Sequence, residues 1–241
     1  MNHTEAEVGF YGKLPFKGDF LQRRVPQEFV DPWDAWLQQG MHESREQLQD
    51  AWLDAYLTGP VWRFVLADGV CGAGGYAGIL VPSVDRVGRY FPLTVVTRLA
   101  TKQCPLEVAC SAGRWFEAAQ AVALAALEAA DMDVDEFDDQ VARLTQYLPA
   151  VGIASTPMPS PGSDAVPAPL QRWLVPLDTA ASLQRAVNAF AYSQLSRALS
   201  PLALWWSDGS NAVDPCWVST PGLPDARGFA AMWSAKAPEL S

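Results

Sequence analysis

The sequence predicts an α/β protein of the α+β type, a mixed sheet with a central antiparallel meander and helices on both faces in an α-β-α layering. Three observations carry that expectation. The runs at 61–67, 76–81 and 91–99 are short and rich in β-branched and aromatic residues, and the segments between them are too short to hold crossover helices. Apolar residues recur at helical spacing on either side of this block, at Leu48, Trp52 and Tyr56 before it and at Trp115, Phe116, Ala119, Val122, Ala123 and Leu127 after it. Two more β-rich runs, 202–206 and 216–219, follow a helix-rich middle and can extend the sheet or form a small second lobe.

Taken in order, 8–13 reads as the opening strand. Asp31 and Pro32 suit the N-cap and first turn of a short helix that carries Trp33, Trp36 and Leu37 on one face and ends at Gly40. Ser44-Arg45-Glu46-Gln47 has the form of a capping box and starts a second helix, which Gly59-Pro60 stops. After the meander, Pro105 begins a helix through Leu127. Asp133 caps another with Phe137, Val141, Leu144 and Leu148 on one stripe, and Asp138 reads as a solvated carboxylate of that helix. Residues 155–169 hold five prolines among Ser and Gly, the composition of an exposed, extended linker or flexible loop. A short strand at 173–175, a helix at 180–199 with Leu183, Val187, Phe190, Leu195 and Leu199, and a last helix near 225–235 complete a single domain over 1–241.

At 241 residues the chain can bury roughly 70–75% of its unfolded surface. Apolar residues make up 49% and there are ten tryptophans, which argues for a folded globule, while a net charge of −10 argues against nucleic acid and anionic membranes and for a basic partner surface. The first residues, Met1-Asn2-His3-Thr4-Glu5-Ala6-Glu7, show no basic or apolar leader pattern, and no run has the length of a membrane span. The expectation is a cytoplasmic protein with no membrane insertion. Four cysteines without a CxxC and two histidines assemble no zinc-ligand spacing, so neither metal nor cofactor is expected.

The motifs that could carry chemistry are weak. Gly72-Ala73-Gly74-Gly75-Tyr76-Ala77 fits G-x-G-x-x-A but leads into a strand, where a dinucleotide site needs a helix, so it reads as a hairpin loop. Asp131, Asp133 and Asp135 imitate a calcium loop without its glycine or its terminal glutamate. Ser83 lacks a nucleophile-elbow context. A small-ligand sensor, or a carboxylate-dependent hydrolase built on Asp19, Asp85 and Asp208, is the alternative reading of residue types.

Two segments stand out because charges sit inside apolar, glycine-rich backbone. Ser83-Val84-Asp85-Arg86-Val87-Gly88-Arg89-Tyr90-Phe91-Pro92-Leu93 sets Asp85 beside Arg86 and four residues before Arg89, so that a carboxylate can pair with guanidinium. Gly9-Phe10-Tyr11-Gly12-Lys13-Leu14-Pro15-Phe16-Lys17-Gly18-Asp19-Phe20 mixes tight backbone and aromatics with Lys13, Lys17 and Asp19. Trp205-Trp206 alternates faces of a strand, leaving Trp206 as a possible surface ring.

These segments, with Asp31-Pro32-Trp33-Asp34-Ala35-Trp36-Leu37 and Gly59-Pro60-Val61-Trp62-Arg63-Phe64-Val65-Leu66, resemble the TagF family, also called ImpM, of type VI secretion in Gram-negative bacteria. The likeness runs over 9–99 and resumes more weakly at Trp205-Trp206-Ser207-Asp208-Gly209 and Gly222-Leu223-Pro224. The resemblance implies a cytoplasmic, non-enzymatic repressor that acts after translation by binding a forkhead-associated scaffold protein, on a scaffold similar to longin-like or profilin-like folds. On that reading Lys13, Lys17, Asp19, Asp85, Arg86, Arg89 and Trp206 are the candidate partner-binding residues.

Overall fold

The computed structural model of the chain describes residues 7–100, 103–129, 131–149 and 180–234. Seven strands, β1 (Val8–Gly12), β2 (Leu21–Arg23), β3 (Trp62–Leu66), β4 (Tyr76–Val81), β5 (Leu93–Arg98), β6 (Leu202–Ser207) and β7 (Cys216–Pro221), form one sheet in the order β2-β1-β5-β4-β3-β6-β7. Every pairing is antiparallel. The expected meander β3-β4-β5 lies at its centre, and β6 and β7 extend this same sheet instead of leaving it. The expected strand at 173–175 and the proline-rich stretch 155–169 lie outside the described residues.

Helices cover both faces because both faces of the central strands are apolar. On one face α1 (Gln27–Leu48), α2 (Trp52–Leu57) and α7 (Ala226–Ala231) pack Phe29, Trp33, Leu37 and Phe229 onto Phe64, Leu80 and Trp205. On the other, α3 (Pro105–Ser111), α4 (Gly113–Glu128) and α5 (Val134–Arg143) set Trp115, Phe116, Ala119 and Phe137 against Phe10, Ile79, Val95 and Leu204. The first core is aromatic: Trp33 stacks on Trp205 with centroids 5.9 Å apart and planes 7° from parallel, and Trp36 lies 5.4 Å from the same ring.

Helix boundaries depart from expectation at α1 and in the helix that begins at Pro105. α1 starts after Pro26 and runs through Pro32, Gly40 and Ser44, so neither Asp31 nor Ser44 is a cap. A continuous stripe of Trp33, Leu37, Met41 and Ser44 is buried along it, and tertiary packing overrides the local breakers. Gly40 is there for space: a Cβ would meet the Phe229 ring at 2.4 Å. The Ser44 hydroxyl donates to the Met41 carbonyl and accepts from Trp52 Nε1. The helix from Pro105 breaks at Ala112 into α3 and α4. In α6 (Ala180–Ala198) Leu195 packs against the second core as expected, as does Leu199 just beyond it, whereas Val187 and Phe190 are exposed and Asn188 and Ser193 are buried. Asp133 caps α5 as expected, its carboxylate accepting from the Glu136 N–H. Asp138 is half-buried and pairs with Arg24 at 2.7 Å, where a freely solvated carboxylate was expected.

Candidate functional site

The two charged segments meet at one end of the sheet. β1 runs beside β5, with Tyr11 opposite Thr94, so the chain leaving β1 at Lys13 passes alongside the loop that enters β5 from Ser83. A glycine is required at the crossing: Gly12 has φ +135°, and a Cβ there would meet the Pro92 carbonyl at 2.2 Å.

Asp85 ties the two loops together. Its side chain is wholly buried, and one carboxylate oxygen receives Lys13 Nζ at 2.8 Å and Arg89 Nε at 2.7 Å. The other accepts the backbone N–H groups of Val87 and Arg89 at 3.0 and 2.8 Å. Burial by itself would raise this carboxyl, but the hydrogen bonds from Lys13, from the Arg89 backbone and guanidinium, and from Val87 outweigh it and hold Asp85 far below the usual carboxylate range. The remaining N–H groups of the turn are also taken. Asp85 N–H donates to the Arg89 carbonyl, Arg86 N–H to the Lys17 carbonyl and Gly88 N–H to the Asp85 carbonyl. Arg89 Nη2 reaches the Gly18 carbonyl, a third link between the loops.

Ser83 anchors this knot to the helical layer. Tyr56 OH donates to the Ser83 carbonyl and accepts from the Ser83 N–H, both at 2.9 Å, and Ser83 Oγ donates to the Lys13 carbonyl at 2.7 Å. Burial raises the Tyr56 hydroxyl well above its ordinary value, so it remains protonated. Ser83 is buried, its hydroxyl spent on backbone, which makes it a structural residue.

The structure sorts the sequence candidates into two tiers. Lys13, 4% exposed, and Asp85 lie inside the knot and cannot touch a partner, contrary to the surface role expected of them. Lys17, Asp19, Arg86 and Arg89 are exposed around them; of the two expected guanidinium partners of Asp85, Arg89 pairs with it, Arg86 makes no ion pair among the described residues, and Lys13 is the second cation. Trp206 is elsewhere. It sits on β6, beyond β4 and β3, half-buried 4.8 Å from Phe116 beneath α4. Asp208 pairs with Arg63 at 2.6 Å, and that hydrogen bond lowers its carboxyl against a smaller desolvation effect. Asp85 and Asp208 therefore each hold their own cations, and Asp19 takes part in no ion pair among the described residues. No group of three metal-ligating side chains occurs among the described residues.

Residue-by-residue reading missed Phe20 and Val87. Phe20 is 49% exposed, lies 4.7 Å from Phe91 and lies under the Lys13 ammonium at 4.8 Å; Val87 is 64% exposed at the tip of the turn. An apolar residue at the tip of a charged turn was the available signal for Val87. Tyr56 gave none, being one more member of a helix stripe.

The architecture is that of an α-β-α layered protein whose candidate site is an exposed surface built over an internally neutralised carboxylate. The chain belongs to the TagF family of type VI secretion-associated proteins: the model of the TagF N-terminal domain matches residues 9–144. A crystal structure of PA0076 from Pseudomonas aeruginosa PAO1 is 35% identical, covers 97% of each chain and superposes with a TM-score of 0.74. No curated protein matches. No helix among the described residues is long and apolar enough to cross a membrane.

Proposed function

We propose that the chain is a cytoplasmic, non-enzymatic negative regulator of type VI secretion, acting after translation by binding a forkhead-associated scaffold protein. Membership of a type VI secretion-associated family supports the setting. The observation that carries the binding reading is the knot itself: Phe20 and Val87 stand exposed among Lys17, Asp19, Arg86 and Arg89, on a base rigidified by Asp85, Ser83 and Tyr56. Apolar anchors ringed by charge on a preorganised backbone are the makeup of a protein-binding hot spot. The hydrolase alternative loses support, because Asp85 and Asp208 are each engaged by a different cation.

The test is binding between the full chain and the purified scaffold protein, read by size-exclusion chromatography and calorimetry, with secretion followed in cells. Wild type should form a stoichiometric complex. Phe20→Ala with Val87→Ala should weaken it at least about tenfold and release secretion. Undiminished binding by that folded double variant would overturn the surface, and no complex with wild type would overturn the choice of partner.

A further inference from the structure

The chemistry of this same surface points to one kind of contact, and the inference rests on the regulatory reading above. We propose that the knot docks on an acidic protein segment, rich in Asp and Glu carboxylates around an apolar side chain, and that it binds carboxylates and not a phosphate group. The two loops carry four cations, Lys13, Lys17, Arg86 and Arg89, against two carboxylates, Asp19 and Asp85, on a chain whose net charge is −10. Locally the sign is reversed. Asp85 is neutralised inside by Lys13, so the exposed rim keeps Lys17, Arg86 and the free edge of Arg89, against which the two loops themselves set Asp19, while Asp34 beside them is held by Tyr11.

The choice of carboxylate over phosphate follows from where the backbone N–H groups go. A tight turn of this kind is a natural anion cradle, because successive N–H groups converge on one point. Here the Asp85 carboxylate fills the cradle: Val87 and Arg89 N–H bind it, and the N–H groups of Asp85, Arg86 and Gly88 are spent on carbonyls. A phosphate would find no converging N–H donors left in this turn. What remains available is spread out: the Arg86 guanidinium, Nη1 of Arg89 and the Lys17 ammonium, arranged around Phe20 and Val87. Such a rim suits several separated carboxylates with one apolar side chain seated between them.

The experiment uses the full chain in two arms. In the first, its affinity for the purified scaffold protein is measured across salt concentrations for wild type and for Lys17→Glu with Arg86→Glu, side chains without ion-pair partners among the described residues. Binding should weaken at least about tenfold between low and high salt in wild type, and the double variant should lose affinity by a similar factor together with the salt dependence. In the second arm, NMR follows wild type and double variant with three synthetic peptides: one alternating Glu and Asp around a central Leu, one with phosphothreonine in place of the acidic residues, and one with Lys in their place. The acidic peptide should shift the amide signals of Phe20, Val87 and Arg89 in wild type alone, and the other two should shift them less. Salt-independent scaffold binding, an unaffected double variant, or tighter binding of the phosphopeptide would each overturn the proposal. If no scaffold complex forms, the regulatory reading fails, and the peptide arm alone decides this one: no shifts with the acidic peptide would refute it.

Discussion

Truncating Asp85 would remove the anion on which Lys13, Arg89 and two backbone N–H groups converge, leaving Lys13 buried without a counter-charge. Breaking a buried pair from one side costs about 3–5 kcal/mol. Asp85→Ala should lose that much in urea unfolding, whereas Asp54→Ala, at an exposed position, should stay within about 0.5 kcal/mol of wild type. Equal midpoints for the two variants would contradict the buried-pair account. The sign of the pH dependence follows from the lowered carboxyl of folded Asp85. Its contribution is fully present above the unfolded value of about 4 and is lost as pH falls toward the folded one. The stability gap between wild type and Asp85→Asn should therefore be flat above about pH 5 and shrink in acid; a gap that widened there would refute the assignment. At this scale the sequence showed that Asp85 needs a cation and that Arg89, four residues on, can supply one. It could not show Lys13, 72 positions away, because that contact exists only once β1 and β5 pair.

Among the elements, α1 is where local rules and tertiary packing conflict. Asp31-Pro32, Gly40 and Ser44-Arg45-Glu46-Gln47 each read as a boundary, and all lie inside one helix of 22 residues. The strands were more legible, since β4 falls on the expected 76–81, and among the helices Asp133 caps α5 as expected. A strand's boundaries are set by turns close by in sequence, whereas α1 passes Gly40 in contact with Phe229, nearly two hundred residues later. Gly40→Ala isolates that difference. Alanine gains about 1 kcal/mol of helix propensity, but its methyl would enter a buried ring held between Trp36 and Trp233, and overpacking costs about 1–3 kcal/mol. The variant should melt below wild type, and adding Phe229→Leu should restore part of the loss. A Gly40→Ala protein more stable than wild type would mean that helix propensity, not the α1–α7 contact, governs the position.

For the whole molecule, the family model ends at residue 144, but the first core does not. The free edge of β3 is covered by β6, and Trp205, Phe229 and Trp233 complete the aromatic layer over α1 and α2. A fragment of residues 1–149 would expose that edge and much of that layer, an arrangement prone to edge-to-edge association. It should aggregate or bind a hydrophobic dye strongly, and co-expression with residues 150–241 should rescue it. A monomeric, cooperatively melting 1–149 fragment would show instead that the first segment folds alone. Net charge was the least informative of the sequence-level quantities here, since an average of −10 conceals a rim of the opposite sign.

The stacked indoles of Trp33 and Trp205 give the molecule a built-in optical gauge. One ring comes from α1 and the other from β6, and they lie 5.9 Å apart and nearly parallel, with Trp36 at 5.4 Å from Trp205 and inclined by 40°. Transition dipoles that close share their excitation, so the far-ultraviolet circular dichroism should carry an exciton band from the α1–β6 contact, added to the coupling of Trp33 with Trp36 at 4.9 Å inside α1. Because the chromophores belong to opposite ends of the chain, that band should appear at the moment the two ends join. Stopped-flow dichroism could then time the closing of the sheet without a label, and Trp205→Phe should remove the added band, leaving only the coupling of Trp33 with Trp36.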